Sequence, residues 1–202
     1  RRTARGVDGE RRAAAGGVGS HYGWRTSTRT GERTFHAGTD FLAPAGTPVY
    51  AVRAGVVETV VRERDGRRFA GYGNAVVGRY EAGGRWALYA HRASVDVEEG
   101  QYVLPGHKPG DVGNTSNGRF PNMVAHLHFE VREARRDGAS PFPGPYGRHD
   151  VNPEAWLAEM GVRFEHVEHD HDHDEDAPML VLARDPAAPP VLAGSGFGTA
   201  TF

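Results

Sequence analysis

The sequence predicts a mainly β protein: an antiparallel, sandwich-like sheet closed by one short C-terminal helix. Three observations carry this. Between residues 35 and 131, short runs rich in β-branched and aromatic residues recur, each followed by a Gly or Pro turn signal. Glycine is abundant, with 28 in 202 residues, as many tight turns require. No amphipathic helix of roughly 10–15 residues alternates with the runs, which argues against a parallel βαβ architecture.

Taken in order, residues 1–19 are Arg, Ala and Gly without periodicity and read as a disordered or truncated lead-in. Ordered structure is expected from about Ser20-His-Tyr-Gly-Trp24. Strands are expected at 47–52, 56–62, 74–80, 85–90, 101–104 and 125–131. The run Asn152 to Met160 is the one convincing helix: Asn152 can cap it, Pro153 suits the first turn and Gly161 suits the end. Residues 20–162 therefore form the expected domain. Residues 163–177 are an acidic, His-rich linker of low complexity, and 178–202 are a tail or the start of a second module.

Composition excludes several functions. Cysteine is absent, so a disulfide framework and a thiolate metal site are both impossible. Net charge is −2 and pI near 6.6, which gives no electrostatic case for nucleic-acid binding. No apolar run approaches the ~20 residues of a membrane span. No charged-then-apolar leader is visible, and a start without Met favours a trimmed chain.

The chemistry lies in three short segments: His36-Ala-Gly-Thr-Asp40, Tyr89-Ala-His91 and His126-Leu-His128. Two imidazoles and one carboxylate around an open fourth position suit a catalytic zinc site. His126 and His128 are two apart, so a strand presents both on one face and turns Leu127 to the other. Val124 and Phe129 extend this apolar context. His36 and Asp40 would lie about 13 Å apart in an extended strand. Zinc bonds are near ~2.1 Å, so this segment must turn, and Gly38 is the residue expected to allow it.

These motifs resemble those of the M23 metallopeptidases, the lysostaphin- and LytM-type peptidoglycan endopeptidases. The resemblance runs from about Tyr22 to Pro153. It includes Gly-Trp-Arg25, Phe35 to Asp40, Ala43 to Ala51, Gly73-Asn74, Tyr89 to His91, Val112 to Thr115, His126 to Val131 and Val151-Asn-Pro153. It implies His36, Asp40 and His128 as zinc ligands. It also implies His91 and His126 as an unligated catalytic pair that orients and deprotonates the attacking water and stabilises the tetrahedral intermediate. It departs from the family pattern at Val124-Ala125, where Gly-Pro is usual, and at the turn Gly106 to Gly110. The loop Arg62 to Ala70 also looks longer and more charged than is typical. These changes are expected to reshape the groove and leave the chemistry intact.

Other candidates rank lower. Glu130 would share a face with His128, but a supporting or surface role is favoured over that of general base. His21, His107 and His149 read as surface residues. Asn74 and Thr115 read equally as groove or turn residues. Trp24, Trp86 and Trp156 read first as packing residues. His166, His169, His171 and His173 alternate with Asp in a spacer without fixed geometry. The expected protein is thus a monomeric zinc endopeptidase that acts on peptide cross-links of bacterial cell wall. It would work outside the cytoplasm, as a secreted enzyme or phage lysin. The rivals are a non-catalytic wall-binding or regulatory domain of the same fold, and a metal-sequestering protein led by its tail.

Overall fold

The structure, a computed structural model, describes residues 17–27, 30–65, 69–147 and 149–162. The expected linker and tail at 163–202, and most of the lead-in, lie outside the described residues. Twelve strands and one helix are described: β1 (Val18–Ser20), β2 (Gly23–Thr26), β3 (Arg33–His36), β4 (Thr39–Leu42), β5 (Pro48–Val49), β6 (Gly55–Val61), β7 (Ala75–Tyr80), β8 (Arg85–Ala90), β9 (Tyr102–Val103), β10 (Gly110–Asp111), β11 (His126–Glu133), β12 (Asp150–Val151) and α1 (Pro153–Glu159).

One eight-stranded sheet carries the domain in the order β1-β4-β11-β8-β7-β6-β9, with β12 pairing beside β4 on the same edge of β11. All its pairings are antiparallel. Two small ribbons, β2–β3 and β5–β10, sit beside it. The expected all-antiparallel β fold with one short helix is the observed one. Most strand positions agree to within a residue or two, but 47–52 pairs only at Pro48–Val49, because the chain bends away where residues 50–54 bond to the 104–107 turn through Ala51.

The central strand β11 is buried on both faces. On one face, Leu127, Phe129 and Val131 join Phe41, Tyr89, Trp156 and Leu157 in the main apolar core. Helix α1 covers this side, and Trp156 stacks on Tyr80 with ring centroids 5.3 Å apart. Asn152 caps the helix as expected, its side-chain oxygen accepting from the Glu154 and Ala155 amides. On the other face, His126, His128, Glu130 and Arg132 form a continuous polar row. The register sets His128, Glu130 and Arg132 against Ala90, Leu88 and Trp86 of β8, which belong to a second, smaller apolar cluster. A polar row at such depth demands partners for every group, since an unpaired buried polar atom costs ~1–3 kcal/mol.

Two local expectations are corrected. Val124 is 72% exposed and precedes the strand, so it adds nothing to the apolar context, which Leu127, Phe129 and Val131 supply. Trp24 is 65% exposed on the β2–β3 ribbon, where Phe35 and Arg33 flank it, whereas Trp86 and Trp156 are buried. A two-stranded ribbon has no second layer to bury its outward side chains.

Candidate metal centre

Strand pairing assembles the site. In the β4–β11 register Asp40 lies directly opposite His128, and cross-strand neighbours share a face. The same His128 pairs with Ala90 of β8, which places His91 one residue beyond it. His36 ends β3, and the chain turns through Ala37 and Gly38 back into β4. The turn brings His36 Nε2 to 3.2 Å from Asp40 Oδ1. Gly38 is needed for a different reason from the expected one. Its φ is not positive; instead a Cβ there would sit 2.6 Å from the Phe129 carbonyl and 2.8 Å from the His128 ring.

All five predicted site residues converge on one groove of about 680 Å³, walled by Phe35, Tyr72, Arg119, Phe120, Met123 and Tyr146. His36, Asp40 and His128 offer one ligand atom each, all within 4.8 Å of one another. His128 Nδ1 lies 2.7 Å from Asp40 Oδ1 and 3.2 Å from His36 Nε2. His126 Nε2 stands further off, 3.5 Å from Asp40 Oδ1. The rings of His91 and His126 face each other at 4.7 Å.

The outer nitrogen of each ring is held, and this fixes what the inner nitrogen offers. Nδ1–H of His36 donates to the His21 carbonyl at 2.9 Å, that of His91 to the Thr115 carbonyl at 2.9 Å, and that of His126 to the Val124 carbonyl at 2.8 Å. Each Nε2 therefore turns a lone pair inward. His128 is reversed: its Nε2–H donates to Glu130 Oε1 at 3.0 Å, and Nδ1 faces the centre. Two imidazole nitrogens and a carboxylate oxygen thus meet at one point, close enough to share a proton or a cation. The donor set and its closeness fit a zinc ion.

The charges follow the same logic. Burial opposes charging of His128, but the Asp40 and Glu130 carboxylates overcome this and raise it to about 9. Burial would raise Asp40, yet its close contacts with the His128 and His36 rings hold it well below the usual carboxylate range. His91 goes the other way: burial, reinforced by His128 and His126, lowers it to about 3. His91 is therefore neutral at any ordinary working pH.

His91 has a left-handed backbone, φ 60°. Such strain persists only when neighbours over-determine it. Here the His91 amide donates to the Tyr72 carbonyl, the Arg92 amide to the Asn74 carbonyl, and both Asn74 Nδ2 and Thr115 Oγ1 to the Arg92 carbonyl. Asn74 and Thr115 thus hold the backbone that aims His91. Gly73 makes this contact possible: at φ +64°, a Cβ would lie 2.2 Å from the Thr115 carbonyl oxygen. Gly73→Ala is expected to cost more than about 2 kcal/mol, combining left-handed strain of ~1–2 kcal/mol with the clash. Thermal denaturation checks this; an unchanged midpoint would show that the Thr115 segment yields freely.

The remaining candidates separate cleanly. His21 is exposed, with Nδ1 2.9 Å from Glu154 Oε2, and its carbonyl holds His36. Glu154 also accepts from Thr39, so the helix start braces the His36 turn. His107 bonds Gln101 away from the groove, and His149 is half-buried beside β12. His166, His169, His171 and His173 lie outside the described residues. Glu130 is no surface group: it is 1% exposed in mid-strand, with Tyr72 and Arg132 as further partners. Tyr72 and Arg132 escaped the sequence reading. For Arg132 the available signal was the two-residue period continuing from His126.

Comparisons with known proteins bear on the family and the fold. The model of peptidase family M23 matches residues 34–141. The chain is 38% identical over 115 residues to the DD-carboxypeptidase/endopeptidase Mpg of Neisseria meningitidis serogroup B, covering 57% of this chain and 24% of that protein. It is 34% identical over 118 residues to the peptidoglycan DD-endopeptidase ShyA of Vibrio cholerae, covering 54% and 25%. The chain thus spans about a quarter of the length of these curated relatives. Among solved structures, the catalytic domain of a variant of the prophage-encoded M23 protein EnpA from Enterococcus faecalis is 31% identical, with TM-score 0.50 over 68% of this chain and 88% of that one. The catalytic domain of lysostaphin from Staphylococcus simulans shares the fold at 23% identity, with TM-score 0.51 over 70% of this chain and 92% of that one. With the family match extending over more than half of its length and the site residues gathered as the motifs imply, the chain belongs to peptidase family M23.

Proposed function

We propose that the chain is a zinc-dependent endopeptidase that hydrolyses peptide cross-links of bacterial peptidoglycan. The observation that carries this reading is the inward convergence on one groove of four imidazoles and one carboxylate from β3, β4, β11 and the end of β8. His36, Asp40 and His128 would hold the ion; His91 and His126 would act as the catalytic pair. Bound there, zinc supplies Lewis acidity, polarising a peptide carbonyl and acidifying water. The protein's own part is proton transfer and positioning. His91, neutral and with Nε2 turned inward, accepts the proton of the attacking water. His126, held by the Val124 carbonyl, presents Nε2 beside it and shares that task. The resulting imidazolium would stabilise the oxygen that gains negative charge and would return its proton to the leaving amine nitrogen. Phe35, Phe120, Met123 and Tyr146 wall the groove of about 680 Å³ in which the peptide would lie.

The wall as substrate is supported by the names of the relatives, and it implies work outside the cytoplasm, by a secreted enzyme or a phage lysin. Among the described residues no helix is long and apolar enough to cross a membrane. A non-catalytic role is disfavoured because none of the five groups is missing. Digestion of purified peptidoglycan is expected to release free amino groups, to stop with a chelator and to resume with zinc. New termini read by mass spectrometry identify the bond. Zinc-loaded, folded protein inert on walls of every cross-link type would overturn the reading.

A further inference from the structure

Three of the four site histidines give Nδ1–H to a backbone carbonyl and turn Nε2 inward. His128 alone is reversed, and among the described residues the side chain that receives its outer nitrogen is Glu130. We propose that Glu130 is a positioning residue that sets the tautomer of His128, so that Nδ1 presents its lone pair to the ion; this rests on the zinc reading above.

The carboxylate is committed on both oxygens. Oε1 accepts from His128 Nε2 at 3.0 Å and from the Tyr72 hydroxyl at 2.6 Å. Oε2 accepts from Arg132 Nε at 3.1 Å and Nη2 at 2.8 Å. Arg132 is itself anchored: Nη1 donates to the Pro141 and Gly144 carbonyls at 3.2 and 3.1 Å, and Nε lies 3.1 Å from Asp150 Oδ1. Both residues are 1% exposed. Glu130 therefore offers no free oxygen to a water or peptide in the groove, which removes it as a general base. It does offer a rigid acceptor at the one place that decides the His128 proton.

A carboxylate can do this and an amide cannot. Four donors from three residues converge on the two oxygens, and a carboxylate accepts from both ends. In Glu130→Gln the amide oxygen is claimed by the Arg132 fork, because an amide NH₂ against a guanidinium sets donor against donor. The NH₂ then faces His128 Nε2 and bonds it only as an acceptor, which moves the ring proton to Nδ1. The lone pair leaves the centre, and ligation by His128 is lost or strained.

Two measurements on the full chain test this. In the zinc-loaded wild type, long-range ¹H–¹⁵N correlation of labelled histidine should find the His128 proton on Nε2; ligation through Nε2 would overturn the proposal. In E130Q, zinc affinity by competition with a chromogenic chelator should fall about 10–100-fold, the usual effect of losing such a supporting partner. Tyr72→Phe, which leaves the Nε2 acceptor in place, should bind zinc as the wild type does. Equal affinity in E130Q and wild type, or an equal loss in Tyr72→Phe, would also overturn it, the latter by pointing to general rigidity. Should E130Q fail to fold, the wild-type spectrum decides alone. A wild type that takes up no zinc would instead sink the zinc reading itself.

Discussion

Replacing His128 by Ala is expected to remove zinc and hydrolysis together. His128 is the residue on which both halves of the site close. Its Nδ1 lies 2.7 Å from Asp40 and 3.2 Å from His36, so it completes the ligand triangle. Its Nε2 ties that triangle to Glu130 and the buried Arg132. Without the ring, Asp40 and His36 remain as two donors, too few for the three-ligand catalytic pattern. Glu130 also loses a donor in a fully buried position, which adds ~1–3 kcal/mol of destabilisation. Metal analysis of the purified variant should find zinc well below one equivalent, with peptidoglycan hydrolysis undetectable. A variant that still held a full equivalent at wild-type affinity would show that the ion binds elsewhere.

His126→Ala is expected to behave differently: zinc stays and hydrolysis falls by ~10²–10⁴-fold, the range for removing a general acid–base group. By strand period alone the two histidines are equivalent. The register separates them. His128 pairs with Asp40, whereas His126 pairs with Leu42, two residues further along β4. Its Nε2 is 3.5 Å from Asp40 Oδ1 against 2.7 Å for His128, and its ring packs on His91, 4.7 Å away. Zinc stoichiometry measured beside the rate decides the matter. Loss of zinc in His126→Ala would make it a ligand and dissolve the proposed division of labour.

Much of the site was legible because it is local. His126 and His128 lie on one strand face by period alone, and the His36–Asp40 spacing by itself demands a turn. Other parts escaped because the partner is a backbone atom or a distant side chain. The carbonyls of His21, Thr115 and Val124 fix three imidazole tautomers, and every residue type carries a carbonyl. Glu130 looked peripheral because the expected strand stopped at 131; pairing with β8 carries it to Glu133 and buries Glu130 in mid-strand. Trp24 misled in the opposite direction, since a large aromatic predicts burial only where a second layer exists to cover it.

Spacing and residue type by themselves determined the class of the protein: antiparallel strands from period and turn signals, a helix from its cap and proline, and a His/Asp centre from ligand chemistry in a chain without cysteine. Tertiary structure alone decided which nitrogen of each ring looks inward, which histidine stands opposite Asp40, and how Glu130 is held. The physical reason is that strand period is set within a segment, whereas register and hydrogen-bond direction are set between segments, by atoms 92 residues apart in the His36–His128 pair and 133 apart in the His21–Glu154 pair.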